Sequence, residues 1–168
     1  LARDGRLHEA HPTPGVPLKV MLARPKPSAE AIAERHDWSD GPLWVEPKYD
    51  GIRAQAHRYS EGTRFYSRDQ KAITSQFPEL AAPGGADAIF DGEIVAYSEE
   101  KRLTFHDLQR RLGRHHEADL FVPSDISVRY VVFDLLYYNG RNLLRGPLRE
   151  RRRLLESLPL PHGWTLIE

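Results

Sequence analysis

The alternation of apolar and polar residues predicts a group of β-strands in the middle of the chain. Residues 52–60 alternate with the period-two pattern of a half-buried strand. The turn residues Glu61-Gly62-Thr63 follow and predict a hairpin. Further strands are predicted at 43–48, 63–67, 88–97 and 126–138. The last is nearly continuous in apolar residues, which favours a central position in a sheet, and Gly92 within 88–97 predicts a close approach of another group.

Helical patterns lie between these strands. They cover residues 27–36, 75–82, 104–113 and 148–158. Ser28 is a candidate N-cap, and Thr104 with Asp107 resembles a capping box at the start of a helix that ends near Gly113. Antiparallel strands with helices between them predict an α+β fold, in which helices flank antiparallel sheets.

The first residues have a different composition from the rest. Three prolines and two glycines in residues 1–18 predict a linker or arm over 1–17, followed by one domain over 18–168. The chain contains no cysteine, no signal pattern and no apolar run of about 18 residues, the length that a membrane span needs. We therefore expect a cytoplasmic protein without disulfides or a membrane partner.

The charges balance overall but are unevenly distributed. The chain has 24 basic and 24 acidic residues, with 12 basic and 16 acidic residues in the first hundred positions. The second part is correspondingly basic, and its arginines lie at 141, 145, 149, 151, 152 and 153. Two interpretations remain open for them: contact with a DNA backbone, or a solvated helix face interrupted by Glu150 and Glu156.

The stretch EPKYDGIR at 46–53 carries candidate chemistry. An unperturbed lysine is mostly protonated at neutral pH, so a lysine nucleophile requires desolvation or neighbouring cations. Lys48 follows an apolar segment, Gly51 would let the backbone approach a phosphate, and Arg53 can hydrogen-bond an oxygen-rich ligand. Asp50 could bind either cation or a magnesium ion. An ion-paired turn without catalytic chemistry explains the same spacing equally simply.

Four further segments occur in the order known from one enzyme family. EPKYDGIR resembles the signature E-x-K-Y-D-G-x-R of ATP-dependent DNA ligases, and VMLARP at 20–25 resembles the opening of their catalytic domain. The other similar segments are YSRDQKAITSQFPEL (66–80), FDGEIVAY (90–97), FHDLQRRL (105–112) and VVFDLLYYNG (131–140). The resemblance implies the nucleotidyltransferase fold shared by DNA ligases and mRNA capping enzymes.

The resemblance also implies roles for individual residues. Lys48 would attack the α-phosphate of ATP and carry AMP, which would pass to the 5′-phosphate of nicked double-stranded DNA. Asp50 would position the lysine and its turn. Glu46 would contact adenine and Phe133 would stack on it. Arg53 and Arg68 would contact the ribose and phosphates, and Glu93 the ribose or a Mg²⁺-bound water.

Later motifs of the family, E-G-x-V/M-x-K and a K-x-K lysine pair, have no match after residue 140. The expectation is therefore the first part of an adenylation domain, which would not seal a nick alone and would self-adenylate weakly or not at all. Two alternatives remain open. An RNA ligase or a capping-type guanylyltransferase shares K-x-D-G-x-R, and a non-catalytic module would bind nucleotide or DNA without forming a covalent adduct.

Overall fold

The computed structural model describes residues 11–37, 39, 41–99, 101–113 and 126–168, and its strands form one sheet. They are β1 (Ile52–Tyr59), β2 (Gly62–Ser67), β3 (Ala88–Ser98), β4 (Lys101–Arg102), β5 (Ser127–Tyr138), β6 (Arg141–Asn142) and β7 (Trp164–Leu166). The order is β2-β1-β3-β5-β6, with β4 beside β3 and β7 beside β5. All pairs are antiparallel except β5 with β7. The predicted hairpin and the α+β class are confirmed.

Three α-helices accompany the sheet in the described residues. They are α1 (Ala29–Ala33), α2 (Phe105–Leu112) and α3 (Leu148–Glu156). The Ser28 cap is confirmed, and Thr104 forms the predicted capping box with Asp107. None of these helices is long and apolar enough to cross a membrane.

The predicted helix at 75–82 is wrong in type. The chain forms two 3₁₀ turns instead, Thr74–Gln76 and Pro78–Leu80. Between them Phe77 adopts φ −136° and ψ 57°, because a residue before proline is pushed out of the helical region. The interruption turns the Phe77 and Leu80 side chains into the core, where both are buried.

The core lies on one face of the sheet and is rich in aromatic side chains. Tyr130 packs edge-on against Phe65 and Trp164, with ring centroids 5.1 and 4.7 Å away. The Tyr130 hydroxyl donates to Ala54 O at 2.9 Å, so its burial leaves no unpaired polar group. A Cβ on Gly92 would lie 2.6 Å from the Tyr130 ring, which confirms the predicted close approach to this glycine.

The predicted half-burial of β1 is wrong, because its polar face is covered by the N-terminal arm. Gln55 and His57 are both buried. The Gln55 amide exchanges two hydrogen bonds with the backbone of Leu18, and Gly15 N donates to His57 Nδ1 at 3.0 Å. Of the predicted arm over 1–17, residues 1–10 lie outside the described residues, and the domain boundary stays a prediction.

The predicted strand at 43–48 is also wrong. Residues 41–50 form no helix or strand, and Leu43, Trp44 and Val45 are exposed. Apolar character alone does not make a strand, because the backbone needs a neighbouring strand to complete its hydrogen bonds. No strand in the described part of the chain pairs with this segment. Lys48 therefore lies in an extended loop that leads into β1.

Candidate active site

The loop that carries Lys48 is attached to the sheet through the next turn. Gly51 N donates to Glu93 Oε1 at 3.0 Å, which links the loop to the middle of β3. A Cβ at position 51 would lie 2.1 Å from Ile94 O, so only glycine fits against the β3 backbone. This contact brings the loop that carries Lys48 close to Glu93.

Two adjoining clefts open beside this contact, with volumes of about 600 and 350 Å³. Four residues line both of them: Lys48, Arg53, Arg68 and Glu93. Glu46 and Phe133 line the larger cleft, and Asp50 lines the smaller one. Every residue that the sequence analysis selected as a site residue therefore faces this pair of clefts. Their volumes fall in the range of small-molecule sites, roughly 300–1,000 Å³.

Lys48 is exposed and makes no hydrogen bond or salt bridge with the residues that the structure describes. Its charge nevertheless acts on Glu93. Burial raises the pKa of the Glu93 carboxyl, and the Gly51 N–H together with the charges of Arg53 and Lys48 opposes that rise. A partly buried carboxyl with a raised pKa in the same cleft as a lysine is an arrangement common at functional sites.

Arg53 is held by a neighbouring strand. Its Nε and Nη2 donate to the two carboxylate oxygens of Asp91 at 3.1 and 2.7 Å. The same guanidinium lies 5.1 Å from the centroid of the Phe133 ring. Burial raises the pKa of Asp91, and the Arg53 hydrogen bond lowers it. Arg53 is therefore a fixed cation in the wall of both clefts, whereas Arg68 is exposed and lies 4.0 Å from Asp69.

Phe133 has one side against the core and another toward the larger cleft. It packs against a small cluster of Val95, Val131 and Ile167. The ring is only partly buried, so part of its surface remains open to the cleft. The Phe133 side chain can therefore pack against the core on one side and present an aromatic face to the larger cleft on the other.

Sequence reasoning missed two residues that hold the predicted ones. Asp91 accepts hydrogen bonds from Arg53. Arg152, on α3, donates to Glu46 Oε1 at a distance of 3.0 Å. Both had a signal in the pattern. Asp91 is a charge inside an apolar strand, and Arg152 lies three positions before the buried Leu155 on the helix face toward the core. A charged residue in such a place requires a partner.

The segment that follows the arm also contributes to the clefts. Leu22 and Ala23 line the larger one, and Met21 O lies 3.5 Å from Arg53 Nη1. The segment 20–25, singled out by its similarity to the opening of a catalytic domain, thus reaches a cleft that Lys48 also lines.

The described residues contain no group of three or more histidine, aspartate or glutamate side chains that could hold a metal ion alone. Mg²⁺ is commonly bound by one or two carboxylates together with substrate phosphates. Glu93, with one oxygen occupied by Gly51 N, and the nearby Asp50 fit that second kind of site. Magnesium would therefore require a phosphate ligand in the same cleft.

Comparison with known proteins assigns the family. The ATP dependent DNA ligase domain matches residues 20–167. A probable DNA ligase from Opitutus terrae is 40% identical over 94% of this chain, and one from Koribacter versatilis is 42% identical over 84%. This chain covers 19% and 24% of those two proteins, so it spans about a fifth to a quarter of their lengths.

Solved structures give the same result for the fold. A mycobacterial DNA ligase D complexed with ATP and MES matches with a TM-score of 0.60 and 29% identity, over 73% of this chain and 38% of that one. The ligase domain of M. tuberculosis LigD matches with a TM-score of 0.58 and 28% identity, over 73% of this chain and 39% of that domain. The seven-stranded sheet, with the Lys48 loop leading into β1, is therefore a nucleotidyltransferase fold, and the chain belongs to the ATP-dependent DNA ligase family.

Proposed function

We propose that Lys48 is the nucleophile of a self-adenylation reaction with ATP. The ε-amine attacks the α-phosphorus, the bond from that phosphorus to the bridging oxygen breaks, and pyrophosphate leaves. A phosphoramidate bond joins Lys48 to AMP, and the proton lost from the amine passes to solvent. The observation that carries this proposal is the position of an exposed lysine in the wall of both clefts, with no hydrogen bond to any residue in the described part of the chain.

The surrounding charges support this chemistry. Nucleotidyl transfer depends mainly on positioning and on stabilising the negative charge of the phosphates. Arg53 and Arg68 line the same walls as Lys48, and Arg53 is already fixed by Asp91. The pyrophosphate can therefore meet cationic groups without a large rearrangement of Arg53. The ATP bound by the mycobacterial ligase supports ATP as the nucleotide.

The larger cleft provides a place for the base. The exposed part of Phe133 offers a stacking face, and aromatic stacking on a base is worth about 1–3 kcal/mol. Glu46 lines the same cleft and can accept a hydrogen bond from the base. When bound with the phosphates, Mg²⁺ would neutralise part of their charge, and Glu93 with Asp50 would hold it.

The later steps follow from the family. The 5′-phosphate of a nick attacks the phosphorus of the lysine-bound AMP, the N–P bond breaks, and AMP moves to the DNA. The 3′-hydroxyl then attacks the 5′-phosphate and AMP leaves, so the two strands are joined. Nicked double-stranded DNA is therefore the proposed second substrate of the protein to which these residues contribute.

The test is the intact mass of the chain after incubation with ATP and Mg²⁺. We expect any gain of one AMP to be acid-labile, located on Lys48, and absent from Lys48→Ala. Lys101→Ala is the matched control, because Lys101 is an exposed lysine on β4 that lines neither cleft. GTP in place of ATP tests the capping-type alternative.

A second form of the protein makes a negative result informative. The chain replaces the matching segment of the Koribacter versatilis DNA ligase, with which it is 42% identical. If AMP is found on Lys48 in the chimaera but not in the isolated chain, the first step is assigned to Lys48 and other segments are required for it. If neither the chain nor the chimaera acquires AMP, although the chimaera is folded and binds ATP, the proposal is overturned. The chain would then be a nucleotide-binding module without this catalytic step.

A further inference from the structure

Arg152 lies beneath the larger cleft and connects two of its walls. The side chain belongs to α3 and is 8% exposed. Its Nη1 donates to Glu46 Oε1 at 3.0 Å, and its Nη2 donates to the carbonyl oxygen of Ile167 at 2.6 Å. Glu46 and Ile167 both line the cleft. The third donor, Nε, is bound by Glu156 Oε1 at 3.0 Å, so the guanidinium is fixed from three sides.

Glu46 depends on this arginine more than a residue in a strand would. The loop 41–50 has no helix or strand to fix its side chains. Among the described residues, Arg152 is the hydrogen-bond partner of the Glu46 carboxylate, and it binds only Oε1. The other oxygen, Oε2, therefore remains available to a ligand in the cleft.

We propose that Arg152 is a positioning residue that sets the nucleobase selectivity of the site through Glu46. This inference rests on the proposed function, in which the base enters the larger cleft. The Glu46 carboxylate, held by its hydrogen bond from Arg152, can accept hydrogen bonds but cannot donate them. A base with an amino group at its 6-position can donate a hydrogen bond to Glu46. A base with a carbonyl at that position would place its oxygen against the Glu46 carboxylate, and both groups are acceptors.

The selectivity therefore has a direction. Adenine is accepted where a carboxylate oxygen faces its 6-amino group. Hypoxanthine, which carries a carbonyl at that position and a hydrogen on N1, is disfavoured there. The lost hydrogen bond to Glu46 corresponds to roughly tenfold in affinity. Release of Glu46 from Arg152 lets the carboxylate turn toward solvent, and both bases then bind similarly.

The experiment measures the dissociation constants of ATP and inosine triphosphate by calorimetry, for the wild-type chain and for variants at the same Mg²⁺ concentration. We expect wild type to prefer ATP about tenfold. Arg152→Met should reduce that ratio to near one. Arg152→Lys keeps the charge and the aliphatic stem but cannot make three fixed hydrogen bonds, so an intermediate ratio is expected.

Comparing two ligands on each variant removes the effect of lost stability. A partly unfolded population weakens the binding of both nucleotides equally and leaves their ratio unchanged. Glu156→Gln is the matched control, since it removes the charge of another Arg152 partner without touching Glu46. In a Glu46→Gln background, Arg152→Lys should not change the ratio of the two dissociation constants any further. If Arg152 acted independently of Glu46, the second substitution would still change that ratio.

The outcomes separate the two proposals. If both Arg152 variants keep the wild-type ratio of ATP to inosine triphosphate affinity, the positioning role is overturned. The proposed function would still stand in that case if AMP is found on Lys48. A wild-type chain with no preference for ATP would overturn the positioning role as well. Failure of both the wild-type chain and the chimaera to bind either nucleotide would overturn the proposed function and this inference together.

Discussion

Asp91 and Asp134 lie directly opposite each other on β3 and β5, and each carboxylate is held by its own arginine. Arg53 binds both oxygens of Asp91, and Arg151 binds both oxygens of Asp134 at 2.8 and 2.9 Å. Like charges on facing strands repel each other unless cations compensate them. The two arginines thus allow two acidic side chains to occupy the sheet next to the clefts.

Arg151→Leu should destabilise the fold because it leaves Asp134 without its cation beside Asp91. The Arg151 and Asp134 side chains are 16% and 17% exposed, so solvent replaces the lost contacts only in part. We expect a loss of about 3 kcal/mol in the free energy of unfolding, measured in urea. Arg153→Leu, an exposed arginine on the same helix, should change it little. Equal losses in both variants would contradict this account.

Gly51→Ala should disrupt the turn after Lys48. The added methyl would lie 2.1 Å from Ile94 O and 2.9 Å from a methyl of Val95, and the backbone atom cannot move without shifting β3. The expected loss of stability is about 1–3 kcal/mol, with loss of the Gly51–Glu93 hydrogen bond. Gly113→Ala, where nothing lies within 4 Å, is the control. Thermal unfolding of both variants decides whether the close approach at Gly51 matters.

Glu93 makes the stability of the fold dependent on pH. Burial raises its pKa in the folded state above the usual value of 4.5, so the folded protein binds the proton more tightly than the unfolded chain does. The ionised form therefore destabilises the fold as the pH rises above 4.5. Glu93→Gln should be more stable than wild type at pH 7, and the difference should shrink toward pH 4. A difference independent of pH would show that burial of the charge is not the cause.

His57 acts in the opposite direction. Burial lowers its pKa from 6.5 to about 4, so the folded state holds a neutral ring that accepts from Gly15 N. The unfolded chain binds a proton below pH 6.5, and stability should fall by about 3 kcal/mol between pH 6.5 and 4. His57→Gln removes this titration and should flatten the profile in that range.

Phe133 and Val131 separate ligand binding from folding within one hydrophobic cluster. Phe133→Ala should weaken ATP binding about tenfold or more, because it removes the stacking face. Its effect on unfolding should be smaller, because the ring is only partly buried. Val131→Ala, at 1% exposure, should cost about 2 kcal/mol of stability and leave ATP affinity nearly unchanged. Equal losses of affinity and stability in Phe133→Ala would identify it as a core residue.

The sequence by itself determined the features that depend on short stretches of chain. The Thr104 capping box, the hairpin between β1 and β2, and the glycine at 92 follow from local hydrogen bonding and steric rules, and the structure confirms them. The ordered motifs also sufficed to indicate the ligase family. Motif order depends on residue identity along the chain and requires no knowledge of packing.

Only the tertiary structure decided which residues support the site. Arg152 and Glu46 are separated by 106 positions, and Arg53 and Asp91 by 38, so no local pattern relates them. The burial of Gln55 and His57 likewise depends on an arm that returns across β1, which strand periodicity cannot anticipate. The segment 43–48 failed as a strand for the same reason. A strand, an ion pair and a buried polar group each need a partner, and the fold alone determines where that partner lies.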